Sequence, residues 1–277
     1  MRMHEVIDPG PGAQSPRQQV NQPRVAELIA TTFRQRILEG DLVDGDLLPK
    51  SDELTAMFGV SKPSIREAMR ILETEGLISV RRGNVGGAEV HAPNASTAGY
   101  TIGLVLQAGQ VTMADLGSAL LDLESACAAR AASRLDRSRM VVPHLLVLHN
   151  QLEQARKDPA GFTRVARQFH EAIVTGGGNA TMALLAGALE SLWSKHEAIW
   201  LEFRDAEVDD DEVAERVLEA HMDIIEAIEQ GDAIRARDLV LHHLAQSQTY
   251  MLSSDAEKRV DVTSSFSDLF GPARRPD

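Results

Sequence analysis

The sequence predicts a mostly α-helical protein made of two parts, an N-terminal winged helix-turn-helix with a small β-hairpin wing and a C-terminal all-α helical bundle. Two observations support this prediction. Residues 48–83 carry capping residues, glycines and apolar residues in the order expected for helix, tight turn, helix and hairpin. After residue 100 the strand pattern disappears, and six segments carry apolar residues at helical spacing. The chain has 277 residues, which is long enough for two domains.

The first part of the motif reads as a short helix followed by a turn. Ser51 can cap this helix, and Asp52 and Glu53 would then lie in its positively polarised first turn. Gly59 supplies the turn, and Ser61 can cap the next helix. The spacing therefore predicts two helices joined by a tight connection.

The second helix of the motif has two different faces. Pro63 is tolerated in its first turn, and Gly76 ends it. Its core-facing row is Ile65, Ala68, Met69 and Leu72, and its candidate DNA-contacting residues are Lys62, Ser64, Arg66 and Arg70. A helix that buries one side and shows cations on the other, behind a tight turn, is typical of a helix-turn-helix. The alternative is an ordinary helical hairpin with solvated arginines.

A basic hairpin follows this helix. Residues 78–80 and 88–91 can form two short strands, and Arg81, Arg82, Gly83 and Asn84 form the turn between them. The glycines would let the backbone approach a phosphate or enter a minor groove. We therefore predict a wing in which Arg81, Arg82 and Gly83 contact DNA.

The remaining sequence predicts helices separated by short breaks. The predicted helices span residues 115–134, 142–157, 162–175, 181–203, 212–230 and 233–252. We expect a disordered tail over 1–22, the DNA-binding domain over 23–92 and a linker over 93–100. An effector-binding and dimerisation domain would follow over 101–254, and a loose tail over 255–277.

Composition restricts the functional class. The net charge is −13, but residues 24–92 hold 9 basic and 11 acidic residues, so most of the excess acid lies outside the predicted DNA-binding part. No segment reaches the length of about 18 apolar residues that a membrane helix requires. The single cysteine, Cys127, excludes an internal disulfide and fits a cytoplasmic protein, and its apolar surroundings predict a core position.

Three histidines face inward from three predicted helices. His170, His221 and His243 each fall on the apolar side of their helix. A single inward histidine is usually a core residue, but three on neighbouring helices indicate a site for a divalent metal such as Zn or Ni, because imidazole is their commonest ligand. Both interpretations remain open from the spacing alone.

The first part resembles the GntR family of bacterial winged-helix transcription regulators. The resemblance runs from residue 24 to 91 and includes Gly59-Val60-Ser61, Ile65-Arg66-Glu67-Ala68 and Glu75-Gly76-Leu77. It implies DNA contacts from Lys62, Arg66 and Gly83, with Arg82 beside them. Some relatives have an arginine where this chain has Asp52, so that contact is not carried over.

The second part resembles the FCD ligand-sensing domain that is found in the FadR-type branch of the same family. The matching features include Leu123-Glu124, Phe169-His170, Glu219-Ala220-His221 and His243-Leu244. The resemblance implies that the three histidines bind a metal together with an aspartate and that an effector carboxylate completes the shell. The aspartate is replaced here by Ala166, and a pocket arginine by Leu120. We expect Leu120, Ala166 and Trp193 to line the effector pocket.

These features predict a ligand-responsive transcription regulator, a repressor, and not an enzyme. A homodimer would place two DNA-binding parts on a near-palindromic operator, and the helical part would bind a small organic acid or acyl compound. One alternative is a metal-free sensor of acyl thioesters or lipids. The other is a metal-dependent enzyme, since three histidines with an open position resemble a catalytic zinc site.

Overall fold

The computed structural model describes residues 25–80, 87–203, 210–255 and 257–262, and only the backbone of 195–203, 210 and 250–255. The chain forms two compact units that divide between Pro93 and Asn94. The predicted N-terminal tail over 1–22 and residues 263–277 lie outside the described residues. Among the described residues, no helix combines the length and apolar composition that a bilayer span requires.

The first unit contains three helices and a two-stranded sheet. Its elements are α1 Val25–Leu38, α2 Ser51–Phe58, α3 Lys62–Thr74, β1 Ile78–Val80 and β2 Ala88–Val90. The strands are antiparallel, with Ile78 opposite Val90. Its core joins the apolar faces of all three helices to the hairpin; the central side chains are Phe33, Leu54, Ile65, Leu72 and Val90. This arrangement confirms the predicted winged helix-turn-helix fold.

The ends of α2 and α3 show how local sequence determines their boundaries. Ser61 caps α3, because its Oγ accepts a hydrogen bond from the Ser64 backbone N–H at 3.4 Å. Gly59 adopts the left-handed conformation that ends α2, with a φ of 63°. The prediction that Ser51 caps α2 was wrong by one residue, because the Glu53 carboxylate accepts a hydrogen bond from the Lys50 N–H and the helix begins at Ser51.

The second unit is built from eight helices within its described residues. They are α4 Ala95–Ala108, α5 Met113–Ser133, α6 Arg137–Met140, α7 Val142–Gln154, α8 Pro159–Gly176, α9 Ala180–Phe203, α10 Asp210–Gln230 and α11 Ala233–Asp255. The core lies between α5, α7, α8, α10 and α11, and its largest fully buried side chains include Leu145, Phe169, Ile173, Ile224 and Ile228. The predicted all-α bundle is confirmed.

Helix α4 differs from the predicted linker over 93–100. Asn94 caps it by accepting a hydrogen bond from the Thr97 N–H at 3.1 Å, so residues from Ala95 onward are helical. Gly99 and Gly103 are buried against α9: a Cβ on Gly99 would lie 2.6 Å from the Ala188 carbonyl oxygen. Gly99, which lies in the predicted linker, therefore permits close packing of two helices.

The chain after α11 also differs from the prediction of a loose tail over 255–277, at least as far as residue 262. Val260 and Val262 are buried beside α4 and α5. The Val260 N–H donates to the Val111 carbonyl at 3.0 Å, and the Val262 N–H donates to Gln107 Oε1 at 2.9 Å. Two alternating valines with paired backbone groups are enough to hold this short segment against the bundle.

Candidate functional site

The first candidate site is the exposed face of α3. Lys62, Arg66 and Arg70 are solvent-exposed, while Ile65 and Leu72 on the same helix are buried. The four-residue spacing of the cations places them in one row, because residues at i and i+4 share a helix face. Within the described residues Arg66 makes no ion pair, so its guanidinium is available for a base edge or a phosphate.

The neighbours of this row modify its charge. Lys62 Nζ lies 2.5 Å from Asp52 Oδ1, and Arg70 Nη1 lies 3.8 Å from Glu67 Oε2. The Lys62–Asp52 pair is largely exposed, so it contributes little stability and a phosphate can compete for the lysine. Ser64 is half-buried with its Oγ 3.0 Å from Ser61 Oγ, which places it partly in the cap and not fully in the exposed row.

Both strands of the predicted wing are present in the structure. Strands β1 and β2 flank the predicted basic turn, but Arg81, Arg82 and Gly83 lie outside the described residues. Their roles remain sequence-based predictions.

The second candidate site is a histidine cluster in the helical unit. His170 comes from α8, His221 from α10 and His243 from α11, and one nitrogen of each ring lies within 4.8 Å of the others. The Nε2 atoms of His221 and His243 are 3.2 Å apart. His221 is fully buried, and the Phe169 ring stacks on it with ring centroids 3.8 Å apart and planes inclined by 6°. The helices therefore hold three imidazoles in the convergent arrangement that a metal ion requires.

The environment keeps the two most buried imidazoles neutral. Burial, and then the positive charge that His243 and His170 would carry, hold the pKa of His221 well below its ordinary value of 6.5. Burial and the neighbouring His170 lower the pKa of His243 to about 3. Neutral imidazole is the form that donates a lone pair to a metal, so His221 and His243 do not have to lose protons near pH 7 to bind one.

A carboxylate that the sequence analysis did not assign lies next to the histidines. Glu124 of α5 is only 5% exposed, and its Oε2 is 3.2 Å from His170 Nδ1. In the described part of the chain Glu124 Oε2, His170 Nδ1 and His221 Nδ1 have no hydrogen-bond partner. Unsatisfied polar atoms are costly in a protein interior. Three histidines and a buried carboxylate fit a divalent cation in both ligand type and charge.

A cavity of about 1170 Å³ adjoins the cluster. Leu120, Ala166 and Trp193, the three predicted pocket residues, all line it, together with His170 and His243. The structure thus brings the sequence-predicted pocket residues and two of the histidines to one space.

Two arginines that the sequence analysis missed also line this cavity. Arg167 Nε lies 3.0 Å from Glu190 Oε1, and Arg156 Nε lies 2.6 Å from Asp211 Oδ1. Arg167 directly follows Ala166, which is both the replaced ligand and a predicted pocket residue. Two signals could have identified Arg167. The helical period places the neighbouring Ala166 toward the cavity, and an arginine side chain is long enough to reach the same space.

These observations define a class of protein: a DNA-binding regulator with a separate helical, ligand-binding unit. Comparison with known families agrees, since the model described as bacterial regulatory proteins, gntR family, matches residues 25–86, and the FCD domain model matches residues 115–246. The chain belongs to the GntR family of transcription regulators and carries an FCD domain.

Individual relatives are also transcription regulators. The chain is 26% identical to the Uxu operon transcriptional regulator of Escherichia coli over 81% of this chain and 85% of that protein. It is 26% identical to the HTH-type transcriptional repressor NanR of Salmonella newport over 80% of this chain and 83% of that protein. A solved structure of Streptococcus agalactiae GntR has a similar fold, with a TM-score of 0.52, 24% identity and coverage of 80% of this chain and 98% of that one. The relatives are regulators and not enzymes, in agreement with the functional class predicted from the sequence.

Proposed function

We propose that this regulator is a homodimeric repressor that binds a divalent metal through His170, His221 and His243 and senses a small organic acid in the adjoining cavity. The observation that carries the proposal is the convergence of three imidazoles, two of them buried and neutral, beside a cavity of about 1170 Å³. The metal would supply a Lewis-acidic centre for an effector oxygen. As a DNA-binding regulator the protein would act in the bacterial cytoplasm.

The charges around the cavity favour an acidic effector. Arg156 and Arg167 line the cavity, and each is already paired with a carboxylate of the protein. An effector carboxylate can replace such a carboxylate beside an arginine, because both offer the same planar pair of oxygens. The two arginines would therefore take the role of the pocket arginine that Leu120 replaces.

The size of the cavity supports a second candidate effector. Small-molecule sites usually have volumes of about 300–1,000 Å³, and this cavity is larger. Together with Leu120, Ala166 and Trp193 on its wall, this favours an acyl compound bound without a metal as the alternative. Native mass spectrometry of freshly purified protein separates the two candidates. A subunit mass increased by one metal ion and a small acid supports the proposal, whereas an acyl-compound mass without metal supports the alternative.

On the DNA side, we propose that α3 enters the major groove with Lys62, Ser64, Arg66 and Arg70 at the interface, and that Arg81, Arg82 and Gly83 of the wing contact the backbone or minor groove. The exposed cationic row of α3 supports this proposal, since the same helix buries its other face. The effector would control DNA binding, and so gene expression, by binding two states of the dimer with different affinity.

Selection of bound sequences from a random DNA pool tests both the proposed homodimer and the proposed DNA contacts. We expect enrichment of a near-palindromic sequence, and light scattering should show two protein chains on each selected duplex. Large apolar side chains exposed on α4 and α9, including Leu104, Val105 and Leu184, support pairing of the helical units. A monomer at micromolar concentration, with or without the selected DNA, would contradict the proposed dimer.

A further inference from the structure

Glu124 is a buried acid that neither packing nor hydrogen bonding explains. It lies in the middle of α5, is 5% exposed, and is flanked along the helix by Leu120, Cys127 and Ala128, all of them buried. Among the described residues the one ion-pair partner within 4.0 Å of its carboxylate is His170. A leucine or methionine at this position would fill the same space without the cost of removing a carboxylate from water.

The position of the carboxylate identifies what could offset that cost. Its Oε2 is 3.2 Å from His170 Nδ1, which is hydrogen-bond distance, and neither atom has a hydrogen-bond partner within the described residues. A histidine that donates its Nδ1–H has its remaining lone pair on Nε2. Metal-binding histidines commonly donate their second ring nitrogen to a carboxylate, which orients the ring and strengthens the ligand.

The same carboxylate also places a negative charge beside the proposed metal site. The three imidazole side chains contribute no negative charge, and Ala166 provides none four residues before His170. A dication held by imidazoles alone in a buried site would be poorly compensated. Glu124 approaches His170 from α5, a different helix from the one that carries Ala166.

From these observations we propose that Glu124 is the positioning residue of the metal centre: its carboxylate accepts the His170 Nδ1–H, leaves Nε2 as the ligand atom, and supplies the negative charge that Ala166 lacks. This inference rests on the proposed metal site. It explains why an acid is retained in the core of α5, and it predicts that the charge of Glu124, more than its shape, determines metal affinity.

The direct test compares Glu124→Gln with a matched control, Glu171→Gln. Gln has nearly the same shape as Glu but carries no charge. Glu171 lines the same cavity on α8 but is solvent-exposed. Zinc affinity would be measured by competition with a chromophoric chelator on metal-stripped full-length protein. We expect Glu124→Gln to weaken zinc binding by about 10- to 100-fold and Glu171→Gln to change it by less than about threefold, as is usual for exposed charges.

The melting temperature of the metal-free protein separates positioning from a structural role. Glu124→Gln keeps a side-chain oxygen that can accept the His170 Nδ1–H and removes a buried charge, so the metal-free variant should be as stable as the wild type or more stable. Its stabilisation by zinc should nevertheless shrink, because that stabilisation follows metal affinity. A structural role for Glu124 would instead lower the melting temperature without metal and leave zinc affinity unchanged.

A rescue variant tests the charge argument. Adding Ala166→Asp to Glu124→Gln places a carboxylate one helical turn before His170, so zinc affinity should recover to within about threefold of the wild type. If Glu124→Gln does not fold, Glu124→Met decides, because it also removes the charge while filling the same space, and zinc binding within about twofold of the wild type would overturn the proposal. Zinc binding by Glu124→Gln within about twofold would overturn it likewise, while leaving the histidine site intact. Absence of zinc binding by the wild type would overturn the metal part of the proposed function and, with it, the role of Glu124.

Discussion

The row of cations on α3 and the histidine cluster of the helical unit differ in how far water reaches them. Arg66 and Lys62 are exposed, and Lys62 pairs with an exposed Asp52. His221 and His243 are buried, and their pKa values are lowered by that burial. Screening by water and salt makes each contact of the exposed row weak and exchangeable. Burial strengthens the electrostatic interactions of each polar group in the cluster, so a change to one of these groups has a large effect on stability or binding. The comparison predicts salt-dependent effects for the exposed row of the first unit and a larger, pH-dependent effect for the buried histidines of the second.

The largest expected effect is the dependence of the stability of the helical unit on pH. A histidine whose pKa is lower in the folded than in the unfolded state binds fewer protons when folded, so stability falls as pH falls. For His243 the window runs from its ordinary value of 6.5 down to about 3, and His221 shifts in the same direction. The metal-free protein should lose a few kcal/mol of stability across this window, since each pKa unit corresponds to about 1.4 kcal/mol.

Chemical denaturation of metal-free protein at a series of pH values measures this loss. His243→Asn should flatten the dependence, because one of the suppressed protonation sites is gone. His144→Asn is the matched control, since His144 is exposed on α7, lowers the pKa of neither buried histidine and should leave the slope unchanged. Equal slopes for His243→Asn and the wild type would show that the buried histidine does not control acid stability.

The next effect concerns DNA recognition. Arg66→Ala should weaken binding to the selected operator by about 1–3 kcal/mol if the guanidinium contacts a base edge. Fluorescence anisotropy at constant salt measures the change. Arg36→Ala provides the control, because Arg36 is an exposed arginine on α1 outside the cationic row. Unchanged operator affinity for Arg66→Ala would place DNA recognition on another surface.

A third effect concerns the missing ligand of the cluster. Ala166→Asp alone should tighten zinc binding by about tenfold, which corresponds to about 1.4 kcal/mol, because Ala166 lies one helical turn before His170 and lines the same cavity. Ala160→Asp is the control, since it adds the same charge to the same helix and cavity nearly three turns from His170. Weaker or equal zinc binding by Ala166→Asp would show that this face of α8 does not point to the ion.

The smallest expected effect is at the exposed Lys62–Asp52 pair. Asp52→Asn should strengthen DNA binding by less than about 1 kcal/mol, because an exposed ion pair holds the lysine only weakly. The logarithmic salt dependence should become steeper by no more than about one counterion. A double-mutant cycle with Lys62→Ala isolates the pair. Strengthening of the same size in the Lys62→Ala background would mean that Asp52 acts independently of Lys62.

The elements that could be predicted from the sequence are those governed by local rules. The Ser61 cap, the Gly59 turn and the apolar row of α3 depend on residues within one or two helical turns, and the structure contains them. The start of helix α4 was missed because Gly99 is explained by its close approach to helix α9, which is distant in sequence. A local pattern cannot distinguish a glycine that breaks a helix from one that allows close packing.

The residues of the candidate site also differ in whether the local sequence could identify them. The three histidines could be found because each interrupts an apolar row at helical spacing. Glu124 could not be assigned, because a glutamate in a helix is normally solvated, and its burial depends on how α5 packs against α8. Arg167 was missed for a related reason: its role depends on which cavity its long side chain reaches.

Calorimetric titration of zinc into chelator-stripped wild-type protein, beside His221→Ala and His242→Ala, tests the central claim most directly. We predict one site per chain in the wild type and in His242→Ala, and loss of at least about 100-fold in affinity, or about 2.7 kcal/mol, in His221→Ala. His221 is buried at the cluster, whereas His242 is exposed on α11. If neither zinc nor nickel binds to the wild type at millimolar concentration, and His221→Ala alters only stability, then the three histidines are core residues and the account of the helical unit is wrong.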